Sequence, residues 1–290
     1  MLTMEEFHNL IQGAPCILDG ATGSNLRLAG MPNGCCTEQW VLSNPEVLVK
    51  LQRSYAEAGS RIIYASTFQA QPIALERVGL DKHTETINAH LVALSRSAAP
   101  DCLIAGDLTT LAAFCESWNP DEFDNLVENY RRQIRGLIDG GADLLAAETL
   151  MYPQEAEAIL TAAELEGAGA VMYSFTMQSD GSFLFGQDAG PVLQSLEAAG
   201  AAAVGFNCVA ADMMTPYLVG KLRRYTKLPL ICKPNAGNPI INENGVAEYD
   251  LAPDDFARIL KQCADNGANL LGGCCGTTPA YIAALRNALI

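Results

Sequence analysis

Eight short apolar segments recur along this chain, with a helical pattern between each and the next. They fall at residues 16–19, 61–66, 102–107, 143–148, 170–176, 202–208, 230–233 and 269–274. The segments are continuous rather than alternating, as strands must be when both faces are covered. Such strands are parallel, with helices packed over them. The intervening helices announce their starts. Asn44-Pro45, Asn119-Pro120 and Thr278-Pro279 each place a capping side chain before a proline at the first helical position. Gly59, Gly140, Gly200 and Gly267 fall where helices should stop. After Asn119-Pro120, the side chains of Phe123, Leu126, Val127, Tyr130, Ile134 and Leu137 share one face. Eight strand–helix units in 290 residues, with no linker between them, predict an α/β chain folded as one (β/α)8 TIM barrel domain over 1–290. The competing arrangement is an open doubly wound sheet. It would more naturally carry a glycine-rich phosphate loop after its first strand, and the turn at 19–23 lacks that spacing.

Charge narrows the partners. A net charge of −15 argues against nucleic acid and against anionic membrane surfaces. No segment offers the roughly 20 uninterrupted apolar residues of a membrane-spanning helix. The opening Met1-Leu2-Thr3-Met4-Glu5-Glu6-Phe7 has neither the basic flank nor the apolar stretch of a signal peptide. A cytoplasmic protein is expected, its ten cysteines reduced. Cys102, Cys232 and Cys263 sit inside apolar patterns and read as small core residues.

In a parallel barrel, chemistry belongs at the C-terminal strand ends. There the chain places Asp19-Gly20, Ser66-Thr67, Glu148-Thr149, Asn207-Cys208, Lys233 and Cys274-Cys275. Cys208, Cys274 and Cys275 can form an open metal site. Three protein thiolates on zinc leave a fourth position for water or substrate, and a thiol entering it would lose its proton. Two bland readings stand beside this one: buried cysteines with a coincidental doublet, or a vicinal disulfide. Neighbouring strand residues point to opposite faces, so the doublet can share a metal only where the backbone leaves the strand. Gly272, Gly273 and Gly276 supply that freedom. Glu148 either pairs with a barrel lysine or arginine or binds a ligand's ammonium group, and Asp19 faces the same choice. Cys35-Cys36 has no further cysteine or histidine at ligand spacing and is set aside as a metal site. The three histidines, His8, His83 and His90, fall on helices away from the strand ends, so histidine-based catalysis is not expected.

At these residues the chain resembles the zinc-dependent homocysteine S-methyltransferases. The resemblance covers nearly its whole length. It is carried by Leu18-Asp19-Gly20-Ala21-Thr22-Gly23, Ser66-Thr67-Phe68, Glu148-Thr149, Gly205-Phe206-Asn207-Cys208 and Gly272-Gly273-Cys274-Cys275-Gly276. Residues 55–70 and the segment Glu85-Thr86-Ile87-Asn88 look most like the homocysteine-binding module of cobalamin-dependent methionine synthase. The resemblance implies zinc on Cys208, Cys274 and Cys275, with the homocysteine sulfur in the open position. It implies amino-acid contacts from Asp19, Gly20, Ser66, Thr67, Glu148 and Asn207. The implied reaction transfers a methyl group to homocysteine, giving methionine. The implied donor is methylcobalamin, presented by a separate corrinoid protein or module. Betaine and S-methylmethionine are alternative donors, and a non-catalytic zinc-binding accessory subunit is the alternative from another class. Ala21 departs from the second glycine that many members carry.

Overall fold

The computed structural model describes residues 1–114, 120–183, 186–242 and 247–290. Asn119, expected to cap a helix, lies outside them; the helix itself runs Pro120–Asp139. The barrel strands are β1 (Cys16–Ile17), β2 (Ile62–Tyr64), β3 (Leu103–Thr109), β4 (Leu144–Leu150), β5 (Val171–Phe175), β6 (Ala203–Ala210) and β7 (Leu230–Asn235). A hairpin of β8 (Pro239–Ile241) and β9 (Ala247–Tyr249) precedes the last of them, β10 (Leu270–Leu271). All eight pairings in the main sheet are parallel or parallel bridges, in the order β1-β10-β7-β6-β5-β4-β3-β2. The ends of that order meet. Leu18 bridges Ile62, and the Arg61 N–H donates to the Ile17 carbonyl at 2.7 Å. The sheet therefore closes into the expected (β/α)8 barrel, and the open sheet is excluded.

Strand parity sorts the side chains. Ile62, Tyr64, Ala105, Leu144, Ala146, Met172, Ala203 and Ile231 pack into one interior cluster. Ile63, Ile104, Leu145, Ala147, Tyr173, Val204 and Cys232 belong to the larger cluster shared with the helices. Continuing the interior parity by two residues reaches Ser66, Asp107, Glu148, Ser174, Gly205 and Lys233. The barrel interior is thus apolar below and turns polar and charged one layer from the top.

The N-terminal helix Met4–Leu10 is closed by a reciprocal cap between Thr3 and Glu6. It carries the fully buried Phe7 into the interior cluster. The Leu2 N–H donates to Asp143 O at 2.7 Å, Ala170 N–H to Leu2 O at 2.8 Å, and the His8 ring lies 2.7 Å from Ala202 O. These contacts sit at the N-terminal ends of β4, β5 and β6, so the helix seals that mouth. His8 thus sits on a helix away from the C-terminal strand ends, as expected, with a backbone carbonyl as its partner.

The regular part of the first and last strands is shorter than the sequence suggests. A Cβ at Gly272 would lie 2.7 Å from Asp19 O, and the Gly273 N–H donates to that same oxygen at 3.0 Å. A side chain at Gly272 would not fit there. β4 and β6 instead run further, each through a register shift, at 147/150 and 207/210. Thr149 (φ 58°) and Cys208 (φ 57°) occupy the left-handed region within those shifts. The β8–β9 hairpin was not expected, because its first strand is exposed throughout and carries no core pattern. No described helix is long and apolar enough to cross a membrane.

Candidate active site

A cavity of about 1290 Å³ opens at the C-terminal end of the barrel, with Gly20, Ser66, Asp107, Glu148, Lys233 and the three cysteines in its wall. The Sγ atoms of Cys208, Cys274 and Cys275 lie within 4.8 Å of one another. Thiolates about 2.3 Å from one tetrahedral metal would sit about 3.8 Å apart, so the cluster has the right chemistry and size for a single ion.

Backbone geometry brings the sulfurs together. The β6 register shift and the left-handed Cys208 turn that side chain off the strand's alternation. Beyond β10, the Cys274 N–H donates to Pro234 O at 2.7 Å and the Cys275 N–H to Asn235 Oδ1 at 3.0 Å. Thr277 Oγ1 donates to Cys274 O at 2.7 Å, and Gly276 takes φ 81°. This loop is no longer a strand, which is why adjacent cysteines can share one target. Hydrogen bonds from Cys208 and Cys274, with a further one from Tyr249 on β9, hold Cys275 down at about 3. The same hydrogen bonding, to Cys274 and Cys275, pushes Cys208 well up. The three cysteines hydrogen-bond to one another, and a divalent cation bound by them would displace their thiol protons.

Below the sulfurs lies a buried charged layer. Lys233 Nζ is 3.1 Å from Glu148 Oε2, 3.8 Å from Asp19 Oδ1 and 4.6 Å from the Tyr64 ring centroid. Burial works against the lysine's charge, but Glu148 and Asp19 overcome it and raise its pKa. Burial raises Glu148, against the pull of Lys233. Asp19, which also accepts from the Tyr64 N–H at 2.8 Å, is raised by burial from 3.8 to about 7. A carboxyl whose native pKa exceeds its unfolded value favours the fold while it is protonated. That contribution fades as the pH climbs toward the native value. The contribution of Asp19 to the stability of the ligand-free protein is therefore expected to decline between about pH 4 and about pH 7, so relative to wild type the melting temperature of Asp19→Asn should shift upward across that range. Melting curves of both proteins across the range check this; the same pH dependence in wild type and mutant would remove Asp19 as a contributor.

The residues singled out from sequence divide into two sets. Gly20, Ser66, Glu148, Cys208, Cys274 and Cys275 line the cavity. Asp19, Thr67 and Asn207 are buried behind its wall. Thr67 Oγ1 donates to Asp107 O at 2.9 Å and accepts from the Asp107 N–H at 3.0 Å. Asn207 Oδ1 accepts from the Thr149 N–H at 2.7 Å and from the Ser174 hydroxyl at 3.0 Å, which holds the β4 distortion in place. Cys36 lies 3.4 Å from Glu38 Oε2, away from the sulfur cluster.

Sequence reasoning gave no role to four residues here, although it placed Lys233 at the strand-end rim. Lys233 and Asp107 end strands at interior parity, and that parity was the available signal. Glu38 is buried in the cavity wall and accepts from the Gln69 N–H at 2.8 Å, tying down the loop after β2. Tyr249 comes from the unexpected hairpin. No pattern in the sequence marks the last two.

A family profile described as homocysteine S-methyltransferase matches residues 16–289. The chain belongs to that family. It is 28% identical over 286 residues to the methionine synthase of Mycobacterium tuberculosis, covering 91% of this chain and 24% of that protein. The chain thus spans about a quarter of the length of this curated relative. Among solved structures, the metallated homocysteine methyltransferase MmuM of Escherichia coli superposes with a TM-score of 0.82 at 27% identity. That match covers 96% of this chain and 98% of MmuM. A methyltransferase from Methanosarcina mazei, 13% identical with a TM-score of 0.63 over 99% of this chain and 98% of its own, shares the fold alone.

Proposed function

We propose that this chain is a zinc-dependent enzyme that transfers a methyl group to the thiol sulfur of L-homocysteine, giving methionine. The observation that carries this reading is the convergence of Cys208, Cys274 and Cys275 on one point at the mouth of an open cavity. Those three thiolates would hold the metal. When bound, zinc supplies a Lewis acid that lets a substrate thiol react as thiolate at neutral pH.

The rest is done by the chain's own groups. The Cys275 N–H bond to Asn235 and the Thr277 bond to Cys274 fix the ligand loop before any ligand arrives. Glu148, with one oxygen on Lys233, offers its remaining charge to the substrate ammonium. Gly20 and Ser66 form the wall for the amino-acid end, and Asp19 and Thr67 support it from behind. Glu148, Lys233 and Asp19 are almost wholly buried, which strengthens each of these charge interactions.

Methylcobalamin on a corrinoid protein or module is the proposed donor. Its support is the resemblance of 55–70 and of the Glu85 segment to the corresponding module of methionine synthase, together with the likeness to the M. tuberculosis protein. The likeness over nearly all of MmuM suits a freestanding barrel, so betaine and S-methylmethionine belong in the same test. The zinc-loaded chain should be incubated with homocysteine and each donor, and methionine measured. Methionine from methylcobalamin is expected. A folded, metal-loaded protein that yields none from any donor would overturn the reading in favour of an accessory zinc protein.

A further inference from the structure

Three carboxylates share the charged layer with one lysine. Lys233 is engaged by Glu148 and Asp19. Among the described residues, Asp107 makes no ion pair, and its Oδ1 is buried without a hydrogen-bond partner. The residue is only 5% exposed, yet it lines the cavity. A carboxylate left unpaired in a buried site is costly, and the cost disappears when a cationic ligand supplies the missing partner.

The placement of Asp107 is rigid. Its backbone is clamped on both sides by Thr67 Oγ1, and its carbonyl also accepts from Gln133 Nε2 at 3.2 Å. Gln133 in turn donates to Thr67 O at 2.6 Å. None of these bonds uses the carboxylate. They aim it into the barrel at the interior parity of β3, beside Glu148 of β4, whose rung partner is Thr109. Burial first, and the charge of Glu148 second, hold the Asp107 carboxyl well above its ordinary range. A ligand cation there would relieve both.

We propose that Asp107 is a substrate-binding residue that accepts the ammonium group of the amino-acid thiol, sharing it with Glu148. This rests on the methyltransfer reading above and adds a specificity to it. The site selects thiols that carry an α-amino group, because only an ammonium pairs the second carboxylate.

The test is calorimetric titration of the zinc-loaded protein with L-homocysteine and with its desamino analogue, which keeps the thiol and the carboxylate. Wild type is expected to prefer homocysteine. Asp107→Asn is expected to lose about 10- to 150-fold in homocysteine affinity, the worth of one charge-assisted hydrogen bond. Its affinity for the analogue and its metal content should stay at the wild-type level. Its melting temperature should not fall, since Oδ1 has no partner to lose. Asp107→Ser gives the same comparison with a shorter side chain. Wild-type homocysteine affinity in both folded variants would overturn the assignment of Asp107 while leaving the methyltransfer reading intact. A wild-type protein that binds neither thiol would overturn that reading, and this one with it.

Discussion

Cys274→Ala is expected to leave the protein folded, without its metal and without methyl transfer. Structural zinc sites contribute about 10–16 kcal/mol of binding across their ligands. Removing one of three thiolates should therefore weaken retention on the order of a thousandfold or more. The fold should survive because the loop is held by backbone groups: the Cys274 N–H on Pro234 O and the Cys274 carbonyl under Thr277 are untouched by the loss of Sγ. Cys208→Ser and Cys275→Ser should behave alike. Cys36→Ser should keep its full metal, since Cys36 lies beside Glu38 and outside the cluster. Elemental analysis after desalting, circular dichroism and a methionine assay decide the matter. Full zinc in Cys274→Ala would mean that the metal is held elsewhere.

Lys233→Met is expected to be the most destabilising single change in the charged layer. Removing one partner of a buried ion pair typically costs about 3–5 kcal/mol, because the remaining charge is stranded. Here Asp19 and Glu148 both lose their counter-ion. The two carboxyls can escape the penalty by taking up protons, and Asp19 stands at about 7 even with the lysine present. Without Lys233 both would titrate higher still. The loss should therefore be smaller near pH 5 and larger near pH 8, where protonation itself is costly. Denaturant titrations of wild type and mutant at the two pH values measure both effects. Equal stability of the two proteins near pH 8 would show that the lysine is not the counter-ion of this layer.

Much of the barrel was readable because its strands are buried on both faces. A run such as Leu144-Leu145-Ala146-Ala147 needs no partner strand to be recognised. The sulfur cluster was readable for a different reason: a cysteine doublet set among glycines has few structural uses. Single charged residues were harder. Lys233 follows Leu230-Ile231-Cys232 and was read as the end of a strand, although the parity of Ile231 carries it into the barrel. Asp107 stands two residues beyond interior Ala105 and was given no place at the rim. Glu148 was given two fates, a barrel cation or a ligand ammonium. The contact with Lys233 shows the first, and the second is the subject of the titrations above. The β8–β9 hairpin escaped notice because Pro239–Ile241 has no buried face to leave a pattern.

The helix that carries Phe7 into the barrel has a kinetic consequence. With the N-terminal mouth sealed, the cavity formed by the described residues opens at the C-terminal end of the barrel. In the proposed reaction, the amino-acid thiol would have to reach the charged layer through the opening by which the methyl donor also enters. A donor already seated in that opening would block the thiol's path. Turnover should then follow a compulsory order, thiol in first and methionine out last. Excess donor should slow the reaction by corking the empty chamber, and raising homocysteine should relieve that inhibition.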